Sequence, residues 1–267
     1  MRFTVTLRHS AVWQMSSAVL SSQGACLLVD PGYFPRELDE LAGLCSAAGG
    51  ALGEPVGVVF THGHWDHVVG WQRFPTTPVW GSPSLSAAVR AQDGVTERCL
   101  AEAREFDDRW YVARPWPLRW PQVKALSAGA RLEVGGLLLE ALLLPGHSAD
   151  GLALLAPEQG LLLCGDYLSP CEIPFVEDLP GYRSTLQRLL TMLRRDLQQV
   201  IPGHGPALSR DEALAIAIAD LAYLDQLALL AERGDRAGAL ALPLPRAAET
   251  PGMREHHLEN CSKAGLG

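Results

Sequence analysis

The residues best suited to chemistry are concentrated in one heptapeptide, Thr61-His62-Gly63-His64-Trp65-Asp66-His67. It puts three imidazoles and a carboxylate directly after the apolar run Val56-Gly57-Val58-Val59-Phe60. Three further groups of the same kind stand in comparable settings: His147 in Leu-Pro-Gly-His-Ser, Asp166 in Leu-Cys-Gly-Asp and His204 in Ile-Pro-Gly-His-Gly. Five of the eight histidines thus fall in glycine-marked turns at the ends of strand-like segments. Imidazole nitrogens and carboxylate oxygens suit zinc, at about 2.0–2.2 Å, and are also accepted by iron, manganese or cobalt.

In an extended turn, side chains two residues apart project the same way, so His62 and His64 can share one cation. Asp66 and His67, where a helix would begin, can share a second. His147 completes the first set and His204 the second, and Asp166, with two oxygens, can bridge the pair. Two divalent cations about 3.5–4 Å apart would activate a shared water and polarise a carbonyl or phosphoryl group. Asp66, with one oxygen free, would orient the nucleophile and move its proton. Asp66 and Asp166 are therefore the catalytic candidates. A site left net positive favours acidic esters, thioesters, lactones or phosphodiesters. A single histidine or Gly-Asp pair in a turn is ordinarily a surface feature; the ordered set displaces that explanation. His9, His256 and His257 have no such pattern and read as surface residues, and Cys164, on a buried strand, is not expected to be a nucleophile.

The elements that must carry these turns can be read from periodicity. Phe3, Val5 and Leu7 alternate as in a half-buried strand that opens at Met1. Residues 17–20 and 25–30 follow as a hairpin, and 35–48 as a helix closed by Gly49-Gly50. A strand at 56–60 leads into the histidine turn. A short strand at 78–81 and a helix over about 84–107, breakable at Gly94, come next. Residues 106–121 mix Trp110, Trp116 and Trp120 with three prolines, which predicts an irregular insertion whose tryptophans form a packed cap over a sheet edge rather than a ligand platform. Arg109, Arg114 and Arg119 follow no helix or strand period and read as a solvated loop, the alternative being that some hold a substrate's carboxylate or phosphate near the metals. A second run of strands (124 onward, 131–134, 137–144, 152–155, 161–164) precedes a helix over 182–197, a strand at 199–201 and an Ala/Leu-rich helix over 210–232 capped by Ser209. The order implies two β-rich sheets covered outside by helices, an α/β class. One domain is expected over 1–232, with 233–267 a loosely ordered tail.

The T-H-G-H-W-D-H turn, then P-G-H-S, G-D and P-G-H-G, resembles the metallo-β-lactamase fold superfamily over residues 15 to 208. The resemblance implies a four-layer αββα sandwich with a two-metal site at the sheet edge, and a supporting rather than ligating role for Asp30. True β-lactamases lack the bridging aspartate, so Asp166 points instead to the glyoxalase II and lactonase-like branch. The segment Tyr167–Phe175 does not look like glyoxalase II, and the chain after His204 is short for that enzyme's glutathione-binding helices.

The 267 residues are 48% hydrophobic, enough for one large core, and carry a formal net charge of -8. That balance counts against a long nucleic-acid partner or an anionic membrane. Six cysteines without a C-x-x-C pair fit a cytosolic chain. No apolar run reads as a membrane span. The expected function is cleavage of a small, acidic ester, thioester or lactone by a two-metal hydrolase, with zinc first among the metals. A phosphodiesterase or nuclease, a one-iron enzyme of the persulfide dioxygenase kind, and a non-catalytic metal-binding sensor are the alternatives.

Overall fold

Phe3, Val5 and Leu7 are half-buried and Thr4 and Thr6 exposed on β1 (Phe3–His9), as the alternation requires. The computed structural model describes residues 3–49, 54–246 and 252–267; Met1 and Gly50, named above as strand start and helix stop, lie outside them. β1 pairs antiparallel with β2 (Ser16–Ser22), and β2 antiparallel with β3 (Ala25–Val29). The chain then crosses over through α1 (Pro35–Ala47), and β4 (Gly57–Val59), β5 (Val79–Gly81) and β6 (Val123–Ala125) add in parallel, giving a six-stranded sheet in sequence order. The second sheet has the order β12-β11-β10-β9-β8-β7. Its strands are β7 (Arg131–Val134), β8 (Leu137–Leu143), β9 (Leu152–Ala156), β10 (Leu161–Leu163), β11 (Gln199–Ile201) and the unforeseen β12 (Leu208–Ser209).

Three apolar clusters define four layers. Between the sheets, Leu20, Leu27 and Val59 of the first meet Leu139, Leu154 and Leu163 of the second. α1 and the irregular segment near Trp116 cover the first sheet outside. α5 (Leu179–Leu193) and α6 (Arg210–Glu232) cover the second, where Leu186, Leu189 and Leu193 meet Ala213, Ala217 and Leu224. This is an αββα sandwich. Leu154 is fully buried in the central layer. Leu154→Ala is expected to lower stability by about 2–5 kcal/mol through lost burial and the cavity left behind, read as a lower urea midpoint with an unchanged slope.

Several expectations need correction. The helix placed at 84–107 is two helices, α3 (Pro83–Ala91) and α4 (Gly94–Trp110), because Gln92 turns left-handed at φ 50° and the Asp93 carboxylate accepts from the Val95 and Thr96 amides. α4 therefore takes Phe106 to Trp110 out of the supposed insertion. The remainder is irregular, with Tyr111 and Arg119 exposed and Trp116 and Trp120 packed on the outer cluster of the first sheet. Arg114 pairs with Asp107 and lies 3.9 Å from the Tyr33 ring centroid, Arg119 covers Trp71, and Trp120 Nε1 donates to Thr96 O. Arg114 holds the loop down from a half-buried position, while Arg109 and Arg119 are exposed as expected.

The tail beyond 232 also differs from expectation. α7 (Arg236–Leu240) and α8 (Met253–Cys261) bury Ala239, Met253, His257, Asn260 and Cys261. His257 is buried, bonded to Tyr223 Oη at 2.8 Å, so it is not a surface residue. α6 is long and apolar enough by length and composition to cross a membrane, at mean hydropathy 1.7. Its buried face packs on α5, and its fully buried Asp220 is paired with Arg246.

Candidate metal centre

Each ligand-type side chain sits just beyond the end of a strand. β4 delivers Phe60 and Thr61, and the chain turns through His62 and His64 into the one-turn helix α2 (Trp65–Val68), which presents Asp66 and His67. Asp30 follows β3 in the left-handed region at φ 49° and braces the turn. Its carboxylate accepts from the Thr61 amide (2.8 Å), the Thr61 hydroxyl (2.6 Å) and His67 Nδ1 (3.0 Å). Its supporting role is therefore visible in the hydrogen bonds. Asp166 follows β10, and Gly203, after β11, must be glycine because a Cβ there would lie 2.2 Å from Asp166 Oδ1.

The structure brings all seven predicted side chains together. His62, His64, His147 and Asp166 form one group, and Asp66, His67 and His204 another, each with ligand atoms within 4.8 Å of one another. His147 Nε2 lies 3.3 Å from His62 Nε2 and 3.2 Å from His64 Nδ1, while His67 Nε2 and His204 Nε2 are 3.2 Å apart. Asp166 stands between the groups. Its Oδ2 is 3.3–3.5 Å from the Nε2 atoms of His62, His147 and His204, and its Oδ1 is 3.2 Å from His67 Nε2.

The proton positions test whether a cation fits. His67 Nδ1 faces Asp30, His147 Nδ1 faces Phe175 O at 3.0 Å and His204 Nδ1 faces Trp13 O at 3.0 Å, so each Nδ1 carries a hydrogen. Thr61 gives its hydroxyl proton to Asp30, so it accepts from His62 Nδ1 at 3.1 Å. In the neutral tautomers so fixed, the four Nε2 atoms direct lone pairs into a shared space. Asp166 Oδ1, buried there, has no hydrogen-bond partner among the described residues. Converging lone pairs and an unpaired carboxylate oxygen are what a divalent cation satisfies.

Electrostatics agree. Burial disfavours charge on His204, but Asp166, Glu172 and Asp66 outweigh it and push its pKa up to about 10. Burial likewise opposes a charged His67, yet Asp166, Asp66 and Asp30 raise it well above the usual histidine range. Burial would raise Asp166, but His67, His204 and His62 hold it well below the carboxylate range. Burial, with repulsion from His62 and His147, holds His64 well below its usual value. The carboxylates demand positive charge, and two facing Nε2 atoms 3.2 Å apart cannot both supply it as protons.

The site opens into a cavity of about 470 Å³ lined in part by Trp13, Trp65, Phe175, Met253, Arg98 and Lys263. Trp110, Trp116 and Trp120 are not among its lining residues. The walls come from α4 and from α8, including His256, which stacks on Phe175. Sequence reasoning missed Trp13 and Glu172. Trp13 and Gln14 both take positive φ, 48° and 57°, a conformation that costs about 1–3 kcal/mol per residue. Their carbonyls accept from His204 Nδ1 and the Gly205 amide, which holds the strained turn against the site. Glu172, buried beside His204, is raised to about 7 by burial, with His204 opposing and Asp166 and Asp66 adding to the rise. A glutamate six residues beyond Asp166 was the only signal available for it.

Residues 11–204 match the model of the metallo-beta-lactamase superfamily, and the chain belongs to that superfamily, whose fold is a metal-binding one. It is 30% identical over 196 residues to the acyl-coenzyme A thioesterase MBLAC2 of Gallus gallus, covering 67% of this chain and 68% of the relative. It is 29% identical over 150 residues to a hydroxyacylglutathione hydrolase of Thermosynechococcus vestitus, covering 54% of this chain and 44% of that one. A protein crystallised in a di-iron-bound form shares the fold at a TM-score of 0.57 and 24% identity, over 78% of this chain and 96% of its own.

Proposed function

We propose that the protein is a binuclear metal-dependent hydrolase of small acyl compounds, with a thioester the first choice and an ester or lactone next. The observation that carries it is the set of lone-pair nitrogens converging on Asp166 from two sides. His62, His64 and His147 would hold one cation, Asp66, His67 and His204 the other, and Asp166 would join them. Zinc is the metal we expect, although iron and manganese accept the same donors. Two such cations would supply a water of lowered pKa and a polarised carbonyl.

The chain's own residues do the rest. Asp66 Oδ2 lies 3.5 Å from His204 Nε2 and 3.6 Å from His67 Nε2, and Asp66 also borders the cavity, so its carboxylate can hold the attacking water and take its proton. A thiolate leaves as a weak base, its conjugate thiol titrating near pH ~8.5, so a thioester needs no strong acid on the leaving side. The thioesterase and hydroxyacylglutathione hydrolase among the relatives support that bond type. Trp13, Trp65 and Phe175 exclude water around the acyl group, and Arg98 and Lys263 offer cations to an acidic substrate. Its partner would be a small-molecule substrate, not a nucleic acid or a membrane, in a cytoplasmic setting.

Purified protein is expected to carry close to two transition-metal ions per chain by elemental analysis, and to cleave thioesters fastest in a panel of ester, thioester, lactone and phosphodiester substrates. One ion at saturation would sink the binuclear site and favour a mononuclear oxygenase. A preference for phosphodiesters would overturn the acyl assignment.

A further inference from the structure

α8 lies outside the stretch that matches the superfamily, yet one of its side chains reaches the backbone beside a candidate metal ligand. Asn260 is 2% exposed. Its Nδ2 donates to Pro174 O at 2.7 Å, and its Oδ1 accepts from the Val176 amide at 2.9 Å. The peptide groups on either side of Phe175 are therefore pinned by one side chain 86 and 84 residues away in sequence. Between them, Phe175 O accepts the Nδ1–H of His147 at 3.0 Å. The same segment returns to the His147 turn through the Glu177 and Asp178 amides, which both donate to Gly146 O at 2.9 Å. His256, also on α8, stacks on the Phe175 ring with centroids 3.8 Å apart.

We propose that Asn260 is a positioning residue for His147, acting through the carbonyl of Phe175; the inference rests on the binuclear metal site proposed above. The geometry requires it for two reasons. Phe175 lies in an irregular segment, outside any strand or helix, so no ladder of its own fixes the direction of its carbonyl. That carbonyl selects the tautomer and ring angle of His147, which decide whether Nε2 points at His62, His64 and Asp166. An asparagine suits the task because one planar amide donates to the residue before Phe175 and accepts from the residue after it. The C-terminal helix is thus part of the metal edge.

The test is zinc affinity, measured by competition with a chromogenic chelator on the full chain. Asn260→Leu removes both bonds at similar volume and is expected to weaken zinc binding at the His147 site by roughly 10–100-fold, the range for partners that orient a ligand. Tyr223→Phe is the control. It removes a hydroxyl that bonds His257 and Asn260 but spares both bonds to the 174–176 backbone, so it should lower Tm without changing zinc affinity. Unchanged affinity in Asn260→Leu, or an equal loss in both variants, would overturn the proposal and leave Asn260 as a docking contact of the tail. If Asn260→Leu does not fold, Asn260→Asp, which keeps the acceptor for the Val176 amide, is measured instead; a smaller loss is expected, and none would overturn it. Wild-type protein binding fewer than two zinc ions would take down the proposed function and this inference together.

Discussion

Asp166→Asn is expected to leave a folded protein that binds one metal ion and loses most of its affinity for the second. The carboxylate lies between the two groups of imidazoles, with Oδ2 facing His62, His147 and His204 and Oδ1 facing His67. Two divalent cations held about 3.5–4 Å apart repel one another, and the anion between them offsets that repulsion. An amide has the same shape but no charge. It also brings an N–H group into a space where the surrounding nitrogens already direct lone pairs. The second ion should bind more weakly by at least the roughly 10–100-fold seen when even an orienting partner is lost, and kcat at ordinary metal concentration should fall with occupancy. The steric fit against Gly203 is unaltered by the swap, so Tm without metal should not report a collapse. Titration with zinc, followed by calorimetry, decides it. Two tight ions in Asp166→Asn would show that Asp166 does not join the sites.

How much of this could be read from the chain alone follows from where each interaction originates. The His62–His67 turn, His147, Asp166 and His204 were legible because each donor is local to a strand end and marked by glycine, and the ordered set recurs in the superfamily. The two sheets were legible because alternation and apolar runs report which faces are buried. The second layer of the site was not. His204 is oriented by a backbone carbonyl, that of Trp13, 191 residues away, and any residue type has a carbonyl. α8 reads as loose tail because the composition beyond Gly234 turns to Pro, Gly and Ala. It docks through polar side chains instead, with Asn260 and His257 buried and hydrogen-bonded to Pro174, Val176 and Tyr223. The arginines of 106–121 read as a solvated loop, and Arg109 and Arg119 are exposed, but the charge on Arg114 is matched by Asp107 from the preceding helix and its guanidinium lies on the Tyr33 ring. Partners that lie far apart in sequence, or that use the main chain, leave no spacing to read.

Asp66→Asn should behave differently from Asp166→Asn, and the contrast separates a joining ligand from a proton carrier. Asp66 is buried at the start of α2, close to His67 and His204 on one side and open to the cavity on the other. Its place as a donor can be filled by an amide oxygen, so metal content should stay near the wild-type level when metal is supplied in excess. The amide cannot accept a proton from the attacking water. Turnover should therefore fall by the roughly 10²–10⁴-fold that a general acid–base group supplies, about 3–5 kcal/mol in the barrier. Since Asp66 does not bind the substrate's distant parts, KM should move little and the loss should appear in kcat and in kcat/KM alike. The measurement is kcat on one thioester substrate for both variants, with metal content determined on the same samples. Near-full turnover of Asp66→Asn at full metal occupancy would mean that Asp66 only ligates, and the proton would have to leave through another group at the cavity wall, such as Glu172, buried beside His204.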